Sequence, residues 1–187
     1  MTGDGNKNIN IVPAVTIIAL VVVSLTTFVS SYASEITSEN IVNAVNKERE
    51  ARFLQPLKVN PRLETAAKKK STDMIVRNYF EHYAFNMSPW AFILNEGYQY
   101  SVAGENLAMG YKTAEGVVGA WMNSPAHRAN ILNPEFQEIG VGVVKGEYND
   151  NGQAVDTTLT TEMSATPKPV VTQIFERITQ AFSDLFQ

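Results

Sequence analysis

The chain has 187 residues, 44% of them hydrophobic and 18% charged, which suits one well-cored domain with extensions and is too short for two ordinary ones. Fifteen Lys and Arg against nineteen Asp and Glu leave a net charge of -4, which excludes the basic surface that phosphate contacts demand and, with it, nucleic acid as a partner. No cysteine is present, so disulfides, thiolate catalysis and zinc-cysteine clusters are excluded, and His, Glu and Asp remain as protein metal ligands.

From Ile11 to Val29 the chain runs without a charge, close to the roughly 20 apolar residues a membrane-spanning helix needs. Lys7 and the amino terminus precede this run and Glu35 is the first acid after it, a weak bias that puts the N-terminus inside. Ser31-Tyr32-Ala33 offers small residues at signal-peptidase spacing, so a retained anchor and a cleaved signal both stay open. Residues 1–37 are therefore read as a cytoplasmic stub, a transmembrane anchor or signal peptide, and a linker. Either way the domain that follows is extracytoplasmic.

Ser38 can cap a helix whose Ile41, Val42 and Val45 share a face, ending near Phe53. Asn60 as cap and Pro61 at the first helical position open a longer helix, with Leu63, Ala67 and Met74 on a stripe and Lys68 to Lys70 on its solvated face. Ser88-Pro89, Thr113 and Ser124-Pro125 mark three more helix starts, and Gly97 stops the first of these. Beyond Pro134 the pattern alternates: Ile139, Val141 and Val143 point one way with Gly140 and Gly142 between them. The cluster Asn149-Asp150-Asn151-Gly152 predicts a turn, and residues 138–163 a hairpin whose second strand is the more polar. "ATPKP" reads as a breaker before an amphipathic helix with Ile174, Phe175, Ile178 and Phe182 on its apolar face, docked on its own domain or paired with another copy.

Four stretches, "VNKEREARFLQPLKVNPRLETAA", "DMIVRNYFEH", "GYQYSVAGENLAMGY" and "VVGAWMNSPAHRANILNPEFQEIGVGV", resemble in order and spacing a bacterial member of the CAP superfamily. That family comprises the cysteine-rich secretory, antigen 5 and pathogenesis-related 1 proteins, also called SCP-like extracellular domains. The resemblance implies an α+β fold, a CAP-type α/β/α three-layer sandwich with a small antiparallel sheet, over residues 38–166, and leaves 167–187 as the C-terminal amphipathic helix. It also implies a cleft with two histidines and two acids. By motif these fall on His82, Glu105 and His127, while Asn123 and Ser124 stand where the fourth acid would be. The loop after His82, "YAFNM", is more apolar than the family's usual polar turn.

Two imidazoles and a carboxylate suffice for a zinc-like ion with an open solvent position, so His82, Glu105 and His127 are the candidate metal ligands and zinc the implied cofactor. Without metal the same residues can pass protons near neutral pH. Each also has a structural reading: His82 closing its helix, His127 packing at a helix N-terminus, Glu105 bonding loop amides. Asn106 is expected to organise that loop, Trp90 and Trp121 to be core aromatics, Arg128 to form an exposed pair, and Glu138 to face solvent or support the site.

The expected function is a metal- or ligand-binding module of the bacterial envelope, with a lipid, cell-wall fragment or protein as ligand and the membrane as a further partner through the N-terminal helix. The alternatives are a metal-assisted hydrolase of envelope peptide or glycan, and a scaffold whose cleft is vestigial.

Overall fold

The computed structural model describes residues 34–184. Every described element belongs to one compact unit. The expected N-terminal anchor lies outside the described residues; within them, no helix is long and apolar enough to cross a membrane.

Helix α1 (Ser38–Glu50) starts one residue earlier in its cap than expected: Thr37, not Ser38, accepts from the Asn40 amide at 3.1 Å. Strand β1 (Lys58–Val59) leads into α2 (Pro61–Arg77), capped by Asn60 as its sequence predicts. Then come α3 (Pro89–Asn95), β2 (Tyr100–Met109), α4 (Ala114–Asn123), α5 (Pro125–Ile131), β3 (Glu138–Asp150), β4 (Gln153–Pro167) and α6 (Val170–Asp184). Thr113 caps α4 by accepting from Gly116 at 3.1 Å. Ser88 and Ser124 stand at their helix starts without a side-chain cap bond, so there it is the following proline's fixed φ that favours the helical start.

The strands form one sheet in the order β1-β3-β4-β2. β3 and β4 make the predicted hairpin, turning through Asn151 and Gly152 with φ of 52° and 90°, the left-handed pair of a type I′ turn. The sheet is mixed and not wholly antiparallel, because β1 pairs with β3 in parallel through Lys58 and Val59. One expectation fails in β4. Ala165, Thr166 and Pro167 complete the strand and do not break it, pairing with Ala103, Val102 and Tyr100. Its polar residues Thr160, Thr161, Glu162 and Ser164 are buried, since β4 lies between β3 and β2 with helices over both faces.

On one face α2 and α3 pack Leu63, Ala66, Ala67 and Ile93 against Met163 and Ala165. On the other, α1, α4 and α5 pack Ile41, Val45, Val117, Trp121 and Ile131 against Ile139 and Val141. Pleat alternation therefore turns Gly140 and Gly142 toward α2, and Glu162 toward α1, α4 and α5. The result is the three-layer α/β/α sandwich.

α6 corrects the tail reading. Ile174, Phe175, Ile178 and Phe182 are not docked on their own domain; all four are exposed.

Candidate functional site

His82 sits beyond the end of α2, which Asn78 terminates in a left-handed conformation at φ 54°. What holds it there is Lys70. The sequence placed Lys70 on a solvated face, yet it is 1% exposed, and its Nζ donates to Glu81 O at 2.8 Å, His82 O at 3.1 Å and the Tyr79 hydroxyl at 3.2 Å. The Tyr79 hydroxyl donates in turn to Asp73 at 2.6 Å. Burial above all, with the Asp73 bond behind it, pushes the Tyr79 phenol up, so it stays neutral. An ammonium fits where two backbone carbonyls converge because a buried carbonyl without a donor is costly.

Beyond His82 the chain makes a small hairpin through Phe85 and Asn86, both in the left-handed region at φ 52° and 59°. A bulky residue seldom adopts that conformation. Two contacts hold Phe85 there: the Arg77 guanidinium 3.6 Å from its ring centroid, and the Tyr79 ring edge-on at 5.4 Å. The apolar loop noted in the sequence is thus an ordered rim beside His82.

Glu105 lies on β2, a strand and not the loop expected, with its side chain 1% exposed. His82 Nδ1 is 2.7 Å from Glu105 Oε1 while the imidazole remains 46% exposed. Burial pushes the Glu105 carboxyl above its ordinary value; the His82 bond and the Lys70 charge pull it back. When ionised, Glu105 can only accept, which fixes the proton of His82 on Nδ1 and leaves Nε2 open toward solvent.

His127 comes from α5 and is half-buried. The Trp121 indole donates to Leu107 O at 2.9 Å, tying α4 to β2. Asn130 then donates to Glu105 O at 3.0 Å and to the Asn106 side-chain oxygen at 2.9 Å, and Asn106 donates to His127 O at 3.2 Å. Asn106 therefore does not organise a loop; it is a fully buried staple between β2 and α5. Burial, and then the charge of His82, hold His127 below the usual imidazole value, favouring its neutral form.

The structure thus joins His82 directly to Glu105 and brings His127 within electrostatic reach of His82. Among the described residues, no three His, Asp or Glu side chains are gathered as a metal centre requires. Glu105 spends Oε1 on His82, while its Oε2 is buried without a hydrogen-bond partner. A three-ligand zinc site with an open solvent position is not assembled among the described residues.

Sequence reading misplaced Lys70 on a wet face and missed Asn130. Arg128 forms no carboxylate pair among the described residues; it donates to Met122 O at 3.2 Å. Glu138 supports the fold near Asn60, accepting from Tyr98 at 2.6 Å and Asn60 at 3.0 Å. Lys70→Met should cost about 2 kcal/mol, since it removes a charged donor from two carbonyls and a cation from beside Glu105. Urea unfolding reads this directly, and a variant within about 0.5 kcal/mol of the parent would refute the role.

The chain belongs to the cysteine-rich secretory protein (CAP) family, whose model matches residues 42–162. It is 46% identical over 108 residues to the Bacillus subtilis (strain 168) protein YkwD, a match that takes in 57% of this chain and 42% of that one. It is 37% identical over 82 residues to the Bacillus subtilis (strain 168) membrane protein YlbC, across 43% of this chain and 24% of the other. The chain thus spans less than half the length of either curated relative. Among solved structures it is similar to an extracellular SCP-domain protein of Bacillus anthracis, with a TM-score of 0.59 at 25% identity over 69% of this chain and 40% of that one.

Proposed function

We propose that this protein is an extracytoplasmic CAP-domain binding module whose His82–Glu105 pair and His127 engage a polar ligand of the cell envelope. One observation carries this reading: a buried carboxylate 2.7 Å behind a solvent-facing imidazole, which orients that imidazole and leaves its outer nitrogen free. Such support serves recognition as well as proton transfer. The extracytoplasmic setting is supported by the charge-free run Ile11–Val29 and by the similarity to a protein described as extracellular. A hydrolase would need a positioned second acid or a metal-bound water, and Asn123 and Ser124 supply neither.

The test is calorimetric titration of the full chain in mild detergent, first with zinc and then with soluble peptidoglycan fragments and lipid vesicles. The comparison is a His82→Gln, His127→Gln double variant, which keeps a donor for Glu105. Binding by the parent at least tenfold tighter than by the folded double variant is the expected result. Equal binding by both would sink the reading. Zinc binding confined to the parent would revive the two-imidazole metal contact, and only then would an activity screen against envelope peptides be warranted.

A further inference from the structure

α6 is turned apolar side out. Val170, Val171, Ile174, Phe175, Ile178 and Phe182 are between 50% and 78% exposed. Its polar residues Gln173, Glu176, Arg177 and Gln180 share an open cavity of about 610 Å³ with Arg62 and Gln99, and of these four only Gln173 is half-buried. The start of the helix is tied down: Lys168 N donates to Gln99 O at 2.9 Å, Lys168 Nζ meets Glu176 at 2.5 Å, and Gln173 donates to Lys168 O at 2.7 Å. A single-sided apolar helix held in this orientation implies a covering surface outside its own domain.

We infer that α6 packs against α6 of a second copy of this chain. Val171, Phe175, Ile178 and Phe182 follow one another at intervals of four, three and four, the spacing of a helix–helix seam. The flanking Thr172, Thr179 and Ala181 carry no charge to repel a like helix. At the exposures found, the four seam residues offer roughly 450–500 Å² per copy, so a pair would hide on the order of 1,000 Å², the lower bound for a specific interface. A lipid surface suits the helix less well. Interfacial helices carry Lys and Arg on the polar face, whereas Val170–Asp184 has one Arg against Glu176 and Asp184.

Because the chain has no cysteine, Ile178→Cys gives a clean cross-linking reporter in the full chain, assayed in mild detergent and in host membranes. Mild oxidation should shift it to twice its mass. Adding Phe175→Asp and Phe182→Asp should lower the dimer fraction at least fivefold, and Arg177→Cys on the polar side should give no dimer above background. All these positions are exposed, so the thermal transition of each variant should match the parent and separates lost pairing from lost folding. Cross-linking of Ile178→Cys no stronger than that of Arg177→Cys would overturn the inference. So would a dimer that survives both aspartates, or a monomeric thiol shielded from a water-soluble maleimide by phosphatidylcholine vesicles alone.

Discussion

Gly142→Ala is expected to destabilise the domain by more than about 3 kcal/mol, beyond the ordinary cost of an overpacked core. A Cβ at Gly142 would lie 2.2 Å from the Lys68 amide nitrogen and 2.4 Å from the Ala67 carbonyl carbon; at Gly140 it would lie 2.1 Å from the backbone of Leu63 and Glu64. The atoms in the way belong to the backbone of α2, so no rotamer change relieves the clash. The helix itself must move off β3, and it carries Leu63, Ala66, Ala67 and Met74 in the core together with Lys70 under the His82 loop. Gly119→Ala is the matched control. It sits within α4 with nothing within 4 Å of its added carbon, and replacing a helical glycine should stabilise by roughly 0.5–1 kcal/mol. Denaturant melts of the two variants beside the parent decide the matter. Were Gly142→Ala as stable as the parent, α2 could not pack on β3 as closely as found here.

The same two glycines mark where the sequence speaks and where it falls silent. Their alternation with Ile139, Val141 and Val143 announced a strand with one bare face, although not that a helix backbone would fill it. Helices were readable from their starts, since Asn60-Pro61, Thr113 and the two Ser-Pro pairs act through local geometry alone. β2 was not readable. Gly104, Glu105 and Asn106 are poor strand formers, and they adopt that conformation because β4 pairs with all three. Lys70 was misassigned by composition despite a correct period: residues 67, 70 and 74 share the buried stripe, and a charge on an apolar stripe points to a buried partner rather than a wet face. Arg49 repeats the case at spacings of three and four after Val42 and Val45. Of the candidate site, His82, Glu105 and His127 were found by motif, whereas the staples Asn130 and Lys70 depend on contacts between residues far apart in sequence.

Glu162→Gln should stabilise the protein at pH 8 by about 3 kcal/mol while changing little at pH 4.5. Glu162 is wholly buried on the α1, α4 and α5 face, and its carboxyl is pushed up to about 7. Burial is the main cause. The Glu105 charge adds to it, and the Ser164 and Asn106 side chains with the Arg49 charge pull the other way. Arg49 cannot neutralise it at close range, because its guanidinium is spent on the carbonyls of Gln55, Ile131, Asn133 and Phe136. The folded protein therefore holds a proton on Glu162 that the unfolded chain, with an ordinary glutamate near 4.5, has already released. That stabilisation is complete below about pH 4.5 and is lost as pH rises through about 7. Glutamine keeps a neutral group beside the Ser164 hydroxyl and removes the titration. His127 acts in the opposite sense: its lowered value makes the folded state lose stability as pH falls below the ordinary imidazole range. Glu105, raised by burial, adds a slope of the same sign as Glu162. The quantity to measure is therefore the difference between parent and variant in urea unfolding free energy at pH 4.5, 6 and 8, in which the His127 contribution cancels and the slope that remains belongs to Glu162 and its coupling to Glu105. A difference that grows across this window identifies Glu162 as the buried acid. A flat difference would mean that Glu162 is ionised throughout, held by Arg49 more strongly than its burial opposes.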